Sequence, residues 1–91
     1  MTQESATEAS LTHQTLEVLL RIHREVLDTE QVRGADNFFD RGGNSLLGIQ
    51  VTRRIRSEFG VRVPAKAVFA AASLQDLAAV VAAARVEGAR P

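Results

Sequence analysis

The chain has 91 residues, a length that supports one compact domain and excludes a large enzyme. Eleven basic and eleven acidic side chains give a net charge of zero, so no overall field attracts the protein to nucleic acid or to an anionic membrane. Cysteine is absent, which excludes disulfides, thiolate catalysis and cysteine-ligated metal sites and fits a reducing cytoplasm. The N-terminus lacks the pattern of a signal peptide, and no apolar run approaches the roughly 20 residues that span a bilayer.

The N-terminal third predicts a tail and a first helix. Residues 1–10 are polar and without periodicity, so they are predicted to form a flexible tail. From about Leu11 to about Asp28, apolar residues recur at steps of three and four, which predicts an amphipathic helix. The buried face of this helix is predicted to consist of Leu16, Leu19, Leu20, His23, Val26 and Leu27.

A long loop is predicted between the first and second helices. Residues 29–44 contain glycines and acidic side chains without a sustained period, and loops of this length in small domains are usually functional. Phe38 and Phe39 lie within this loop. Because a free loop gains nothing by exposing aromatic rings, both are predicted to pin it to the core.

The second helix is predicted to begin at Ser45 and to end at Gly60, a natural left-handed stop. Its apolar stripe is Leu47, Val51, Ile55 and Phe59. Its other side is basic. Residues 45–66 carry a net charge of +4, because Glu58 is their only acidic residue and their basic residues are Arg53, Arg54, Arg56, Arg62 and Lys66. Residues 28–44 carry a net charge of −2, so a neutral total conceals a polarised surface.

Two further helices complete an all-α, small four-helix bundle of three longer helices and one short one. Pro64 suits the start of a short third helix over 65–69. Ser73 and Asp76 have the spacing of a capping box at the start of the fourth helix, which is predicted to fray after Arg85. Its apolar stripe is predicted to be Leu74, Leu77, Val80, Val81 and Ala84.

Catalytic, metal and nucleic-acid sites find little support. His23 lies on the apolar row of the first helix and is interpreted as a partly buried, hydrogen-bonded structural residue, whereas His13 is predicted to be solvated. Around Ser45, the glycine that a nucleophile elbow needs two positions later is replaced by Leu47. No metal-ligand pattern is present. The arginines of the second helix fit a solvated face better than a DNA-reading helix, whose first turn would carry polar side chains.

The most informative feature is Ser45, which follows Gly42, Gly43 and Asn44 at the start of an amphipathic helix. A hydroxyl in this position lies beside free backbone N–H groups and the positive end of the helix dipole, where an attached phosphodiester would be stabilised. The alternative is that Ser45 or Asn44 is only an N-cap and the glycines only a turn. The residues alone leave both interpretations open.

The run Phe38-Phe39-Asp40-Arg41-Gly42-Gly43-Asn44-Ser45-Leu46-Leu47 resembles the carrier protein family, as do the Arg-rich second helix, Phe59-Gly60-Val61, Pro64 and Phe69 that follow it. It is most similar to the peptidyl carrier, or thiolation, domains of nonribosomal peptide synthetases. The resemblance covers about residues 16–81. With the predicted helices, this gives a carrier domain over 11–86 with tails over 1–10 and 87–91. The short polar tails and the absence of a linker favour a free-standing carrier, with an excised module of a larger synthetase as the alternative.

This resemblance implies that Ser45 carries 4′-phosphopantetheine, transferred from coenzyme A by a phosphopantetheinyl transferase, with an aminoacyl or peptidyl group held on the arm as a thioester. The chain would catalyse nothing itself. Its partners would be the transferase, an adenylation enzyme and condensation or tailoring enzymes, without nucleic acid or membrane, and it would be a monomer. The alternatives are an acyl carrier for a polyketide or other acyl group, or a small helical interaction domain without cofactor.

The docking surface for these partners is predicted to involve Leu46, Gly48, Arg53 and Phe69, with Gly48 leaving room beside Leu46. Two departures from the family pattern stand out. Asn44 replaces the usual aspartate or histidine, which keeps a capping side chain but removes a carboxylate. The second helix is basic, whereas fatty acid acyl carriers typically have an acidic one, and this favours the peptidyl type.

Overall fold

The computed structural model describes residues 3–89, with side chains from residue 9 onward, and over that range it contains four α-helices joined by loops. The helices are α1 (Gln3–Val26), α2 (Ser45–Phe59), α3 (Ala65–Ala70) and α4 (Leu74–Gly88). The predicted all-α architecture, with a short third helix and a long loop before α2, is confirmed. Between residues 3 and 89, no helix is both long enough and apolar enough to span a membrane.

The outer helices extend further than the sequence predicted. Helix α1 begins at Gln3 instead of near Leu11, so most of the segment assigned to an N-terminal tail has helical backbone. Helix α4 continues to Gly88, past the predicted fraying point at Arg85. Apolar periodicity marks only the part of a helix that packs against the core. The glutamates and alanines of the N-terminal segment have high helix propensity, which needs no such periodicity.

The core lies where the helices meet, with α1 packed against α4 and α2, and α3 against α2 and α4. Its buried side chains are Leu19, Ile22, Phe38, Val51, Ile55, Val63, Val68, Leu77, Ala78 and Val81. A smaller cluster consists of Leu20, Val32 and Leu74. The predicted stripe of α2 is confirmed, because Val51 and Ile55 are buried and Leu47 and Phe59 pack against the core.

One apolar prediction for the core is wrong, and a buried residue of the long loop was not predicted. Val80, which was assigned to the buried stripe of α4, is 45% exposed, whereas Ala78 and Ala82 are buried. Small residues on the inner face allow α4 to pack closely against α1, and the larger valine lies off that face. Val32, in the loop between α1 and α2, is fully buried, although the loop shows no periodicity that would reveal it.

His23 is hydrogen-bonded inside the fold, as predicted, and is more deeply buried than predicted. Its side chain is fully buried, and Nδ1 donates a hydrogen bond to the carbonyl oxygen of Leu19 at 2.7 Å. Because a carbonyl can only accept, Nδ1 carries the proton in the neutral ring. Nε2 is buried and has no hydrogen-bond partner among the described residues. The ring meets Phe38 edge-on, with 5.9 Å between ring centroids.

The loop before α2 is tied to the start of α4. The backbone N–H of Leu74 donates to the carbonyl oxygen of Asp36 at 3.0 Å, and the side-chain amide of Asn37 donates to the carbonyl oxygen of Ala72 at 3.2 Å. These bonds hold the loop against the junction between α3 and α4. They fix the position of Phe38 and, beyond it, the start of α2.

Candidate cofactor attachment site

Asn44, rather than Ser45, is the N-cap of α2. Its backbone is extended, with φ −147°, and its side-chain oxygen accepts a hydrogen bond from the backbone N–H of Leu47 at 2.9 Å. Its carbonyl oxygen accepts the first helical bond, from Gly48 N–H at 2.8 Å. Of the two capping residues that the sequence left open, the structure therefore selects Asn44, and Ser45 becomes the first residue of the helix.

Ser45 is exposed, and its hydroxyl makes no hydrogen bond to any residue in the described part of the chain. The backbone N–H groups of Ser45 and Leu46 likewise donate none within residues 3–89. Two free donors at the positive end of a helix favour an oxyanion. The hydroxyl is thus available for modification, and the adjoining backbone suits a phosphodiester attached to it. No side chain of residues 9–89 hydrogen-bonds this hydroxyl as an activating base.

The two glycines before α2 have different roles. Gly42 has φ +96°, a left-handed conformation that side chains other than glycine rarely adopt, and no atom would meet a Cβ placed there. At Gly43 an added Cβ would overlap the ring of Phe38, whose carbonyl oxygen accepts a hydrogen bond from Gly43 N–H at 3.0 Å. Gly42 therefore forms the turn, and Gly43 allows the turn to lie on a core ring.

A polar network stiffens the same loop. The carboxylate of Asp36 accepts a hydrogen bond from the backbone N–H of Arg33 at 2.7 Å and pairs with Arg41, whose Nε lies 3.1 Å away. The backbone bond from Arg33, followed by the bond from Arg41, holds the pKa of Asp36 below its ordinary value. Asn37 Oδ1 accepts from the backbone N–H of Phe39 at 2.8 Å. These contacts orient the segment that delivers Ser45 to the surface.

The outer face of α2 begins with apolar side chains. Leu46 is 65% exposed and Ile49 is 43% exposed. Arg53 is also exposed, and at 3.6 residues per turn it lies on the same face as these two residues. Ile49 was not among the predicted docking residues, although its position one turn after Ser45 places it between the serine and Arg53. Helical spacing alone could have identified it.

Gly48 is buried, so the prediction that it leaves open room beside Leu46 is wrong. A Cβ at this position would overlap the ring of Phe69 from α3, which occupies the space. Gly48 therefore contributes to the surface indirectly, by allowing Phe69 to lie against the first turns of α2. Because position 48 is one turn after Ser45, Phe69 lies along one side of the serine and Ile49 along the other.

Phe39 extends this apolar surface and corrects a second prediction. Phe38 is buried at 3% exposure, as expected, but Phe39 is 47% exposed. The Phe39 ring lies against Phe69, with centroids 5.6 Å apart, and against Phe38 at 5.3 Å. The two residues lie in a hydrogen-bonded turn, in which Gly42 N–H donates to the carbonyl oxygen of Phe39, and only the Phe38 ring enters the core. The exposed apolar patch therefore consists of Phe39, Leu46, Ile49 and the partly exposed Phe69.

The surface around Ser45 is open. One surface hollow, of about 860 Å³, lies along the C-terminal half of α1, and another, of about 340 Å³, lies between α1 and α4; Ser45 lines neither. No group of His, Asp or Glu side chains in the described part of the chain has the arrangement of a metal site. Ser45 is exposed to solvent at the start of α2.

Comparisons with known proteins identify the family. The profile described as "Phosphopantetheine attachment site" matches residues 17–81. CymA of Salinispora arenicola, a probable nonribosomal peptide synthetase, is 45% identical over 64 residues, which cover 70% of this chain and 1% of CymA. The phosphinothricin tripeptide synthetase PhsC of Streptomyces viridochromogenes is 42% identical over 66 residues, covering 72% of this chain and 6% of PhsC. Bacitracin synthase 2 of Bacillus licheniformis is 40% identical over 70 residues, which cover 77% of this chain and 3% of the synthase.

The chain thus spans at most 6% of the length of these three relatives. The matched region contains α2, α3 and the loop before α2, together with residues 17–26 of α1 and 74–81 of α4. The resemblance to peptidyl carrier domains is confirmed, and with it 4′-phosphopantetheine as the covalent cofactor. The chain belongs to the phosphopantetheine attachment-site family, as a carrier domain of the peptidyl, or thiolation, type.

Proposed function

We propose that Ser45 is the residue that carries the 4′-phosphopantetheine, and that the chain holds an aminoacyl or peptidyl group on that arm for partner enzymes of nonribosomal peptide synthesis. The observation that carries the proposal is the Ser45 hydroxyl, exposed and without a hydrogen bond to any described residue, at the N-terminus of α2 and within the matched region. Asn44 caps the helix, so the serine is not needed for that role.

The attachment step requires little of this chain beyond placement. A phosphodiester forms at Ser45 Oγ, the bond between the two phosphates of coenzyme A breaks, and the adenosine bisphosphate leaves. The hydroxyl proton passes to a base of the transferase, since no described side chain contacts the hydroxyl. Once bound, the cofactor supplies the thiol that the cysteine-free chain lacks. The free N–H groups of Ser45 and Leu46 lie next to the new phosphodiester and favour its charge.

The chain itself is a carrier and not an enzyme in this proposal. A tethered substrate reaches each partner at a high local concentration, so every contact can be weak and brief. The apolar patch of Phe39, Leu46, Ile49 and Phe69 suits such a contact, because it groups exposed apolar side chains near Ser45. In this proposal, the partners of the chain are a phosphopantetheinyl transferase, an adenylation enzyme and condensation or tailoring enzymes.

Intact-protein mass spectrometry tests the attachment site. The chain is incubated with coenzyme A, magnesium and a broad-specificity phosphopantetheinyl transferase. We expect the parent chain and Ser57→Ala, which alters another exposed serine of α2, to gain one phosphopantetheine, and Ser45→Ala to gain none. A gain in Ser45→Ala would place the cofactor elsewhere. No gain in any folded variant, with several transferases, would favour a helical interaction domain without cofactor.

A second variant pair tests the docking surface. Leu46→Ala is expected to lower kcat/KM for the transferase while leaving the helical circular dichroism unchanged. Val80→Ala removes a similarly exposed apolar side chain from α4 and is the matched control, which is expected to keep the parent rate. Equal rates for the two variants, or a loss of helical signal in Leu46→Ala, would contradict the assignment of Leu46 to the docking surface.

A further inference from the structure

The outer face of α2 changes character along its length. Near Ser45 it is apolar, with Leu46 and Ile49 exposed. Two turns further on it carries Arg53 and then Arg56, both exposed. The spacing of these four side chains, at intervals of three and four residues, keeps them on one face of the helix. The face therefore has an apolar part next to the serine and a cationic part beyond it.

The cationic part is not neutralised within the described chain. Three arginines form ion pairs: Arg54 with Glu25, Arg21 with Glu58, and Arg41 with Asp36. Glu58 is the only acidic residue of α2, so its pairing with Arg21 removes the one carboxylate that the helix could offer its own arginines.

Arg53 and Arg56 form no ion pair or hydrogen bond through their side chains with any residue of the described part. They lie three residues apart, a spacing at which like charges repel each other. Arg62 and Lys66 are also exposed and without an ion pair in residues 9–89, on the segment that leads from the end of α2 back to Phe69. An external anionic group would relieve this repulsion.

Helix geometry fixes where that anionic group would lie. With a rise of 1.5 Å per residue, Arg53 is about 12 Å and Arg56 about 16 Å from Ser45 along the helix axis. The apolar patch fills the interval between the serine and the arginines. A partner surface that contacts the serine, the apolar patch and the two arginines must have an opening for the serine and an apolar centre. Its negative rim must lie about 12–16 Å from that opening.

We infer that the partner enzymes acting on this carrier present a cluster of carboxylates to Arg53 and Arg56, so that charge on the second half of α2 selects partners with an acidic docking rim. The inference rests on the proposed function, because the partner is the enzyme that meets Ser45. A protein surface fits better than nucleic acid or a membrane, since the arginines adjoin exposed Leu46 and Ile49 and the net charge of the chain is zero.

Exposed ion pairs of this kind act mainly on encounter rate and selectivity. Each contributes a factor of only about 1.4–5 to binding, and salt screens it over about 10 Å at 0.1 M. This suits a carrier that must leave each partner quickly. Steering by rim charges raises association rates without slowing release, and it disfavours partners whose rim is basic.

A titration with defined peptides tests the inference. The parent chain, labelled for NMR and shown by mass spectrometry to be modified at Ser45, is mixed with a short helical peptide that has a leucine in its first turn and glutamates two and three turns later. Matched peptides replace every glutamate with glutamine or with lysine. Of the three peptides, we expect only the glutamate peptide to shift the amide signals between Leu46 and Arg56. These shifts should become at least threefold smaller when the salt concentration rises from about 20 mM to about 200 mM.

Charge reversal locates the effect. Arg53→Glu and Arg56→Glu are each expected to reduce the peptide-induced shifts at least threefold while keeping the parent circular dichroism. Arg33→Glu, which makes the same charge change in the loop before α2, is expected to leave them unchanged. Equal shifts with the glutamine peptide, an equal loss in Arg33→Glu, or no shifts at all would overturn the inference.

Two further probes separate the classes of anion. A short DNA duplex and vesicles containing phosphatidylglycerol are titrated under the same conditions. Stronger binding of either probe at Arg53 and Arg56 would overturn the assignment to an acidic protein surface. A different result tests the proposed function, which would be contradicted if no cofactor were found on Ser45. The peptide titration would then be carried out on the unmodified chain and on Ser45→Ala, so the two claims can fail independently.

Discussion

The ring of Phe69 lies against the α-carbon of Gly48, in the space that any other side chain at position 48 would occupy. This contact joins α3 to the first turn of α2. It places an aromatic ring on the surface near Ser45. The absence of a side chain at position 48 thus shapes the surface near that serine.

Gly48→Ala is predicted to destabilise the domain even though alanine is the better helix former. Alanine gains about 1 kcal/mol of helix propensity over glycine, whereas overpacking in a filled site costs about 1–3 kcal/mol. Because the new methyl meets a large ring, the steric cost should exceed the gain. Urea unfolding checks this, with Thr52→Ala, one turn further along α2, as the control. Higher stability of Gly48→Ala than of the parent would show that Phe69 is easily displaced.

The two adjacent phenylalanines before α2 are predicted to differ sharply in their effect on stability. Phe38 is buried between His23 and Gly43, so Phe38→Ala should cost about 3–5 kcal/mol, a large part of the stability of a small domain. Phe39 is half exposed, so Phe39→Ala should cost no more than about 1 kcal/mol. Denaturant midpoints measure the difference. Equal losses in the two variants would contradict this assignment of buried and exposed rings.

This pair also shows what the sequence could and could not predict. Two aromatic residues in a polar loop correctly indicated an anchor to the core, but the pattern did not reveal which ring is buried. That choice depends on the path of the loop, which is fixed by bonds to distant residues such as Asp36 to Leu74 and Asn37 to Ala72. Periodicity does not encode contacts of this kind.

The helices and the position of Ser45 were predictable for a physical reason. Periodic apolar residues, glycines and caps act locally, and they fixed α2 from Ser45 to Phe59. The prediction of open space beside Gly48 was wrong because it depended on a long-range contact. The ring that fills this space belongs to Phe69, which is distant in sequence. Ile49 was not predicted, although its spacing of four residues from Ser45 places both residues on one face of the helix.

Asn44 is predicted to be a stability residue that aspartate can replace. Asn44→Ala removes the bond to Leu47 N–H and should cost about 1 kcal/mol. Asn44→Asp keeps an acceptor and adds a negative charge at the positive helix end, which should raise stability by about 0.3–1 kcal/mol at low salt. Thermal unfolding of the unmodified chain at low and high salt checks both values. A gain in Asn44→Asp that persists at high salt would not be due to the helix dipole.

Buried His23 makes the stability of the domain depend on pH. Its pKa is lowered from the ordinary value of 6.5, chiefly because burial disfavours the charged ring and despite the opposing bond to Leu19. The folded state therefore keeps the ring neutral at a pH where the unfolded chain takes up a proton. The stability that the neutral His23 ring contributes is fully present above about pH 6.5. It is lost as the pH falls from there through the pKa of His23 in the folded state.

We predict that the free energy of unfolding of the parent falls by up to about 1.4 kcal/mol per pH unit below about pH 6.5. His23→Leu should flatten this slope between about pH 7 and pH 5, whatever its effect on absolute stability. His13→Gln removes the other histidine of the chain, which is exposed, and is the matched control that should keep the parent slope. Urea unfolding at a series of pH values gives the slopes.

Asp36 and Glu58 do not contribute to the slope in this window. Asp36 and Glu58 both have pKa values held below the ordinary 3.8 and 4.5, the first chiefly by the backbone bond from Arg33 and the second chiefly by the bond from Arg21. Their contributions are present above those pH values and are lost only at lower pH. A slope between pH 7 and pH 5 that survives in His23→Leu would therefore assign the acid sensitivity to a group other than the buried histidine.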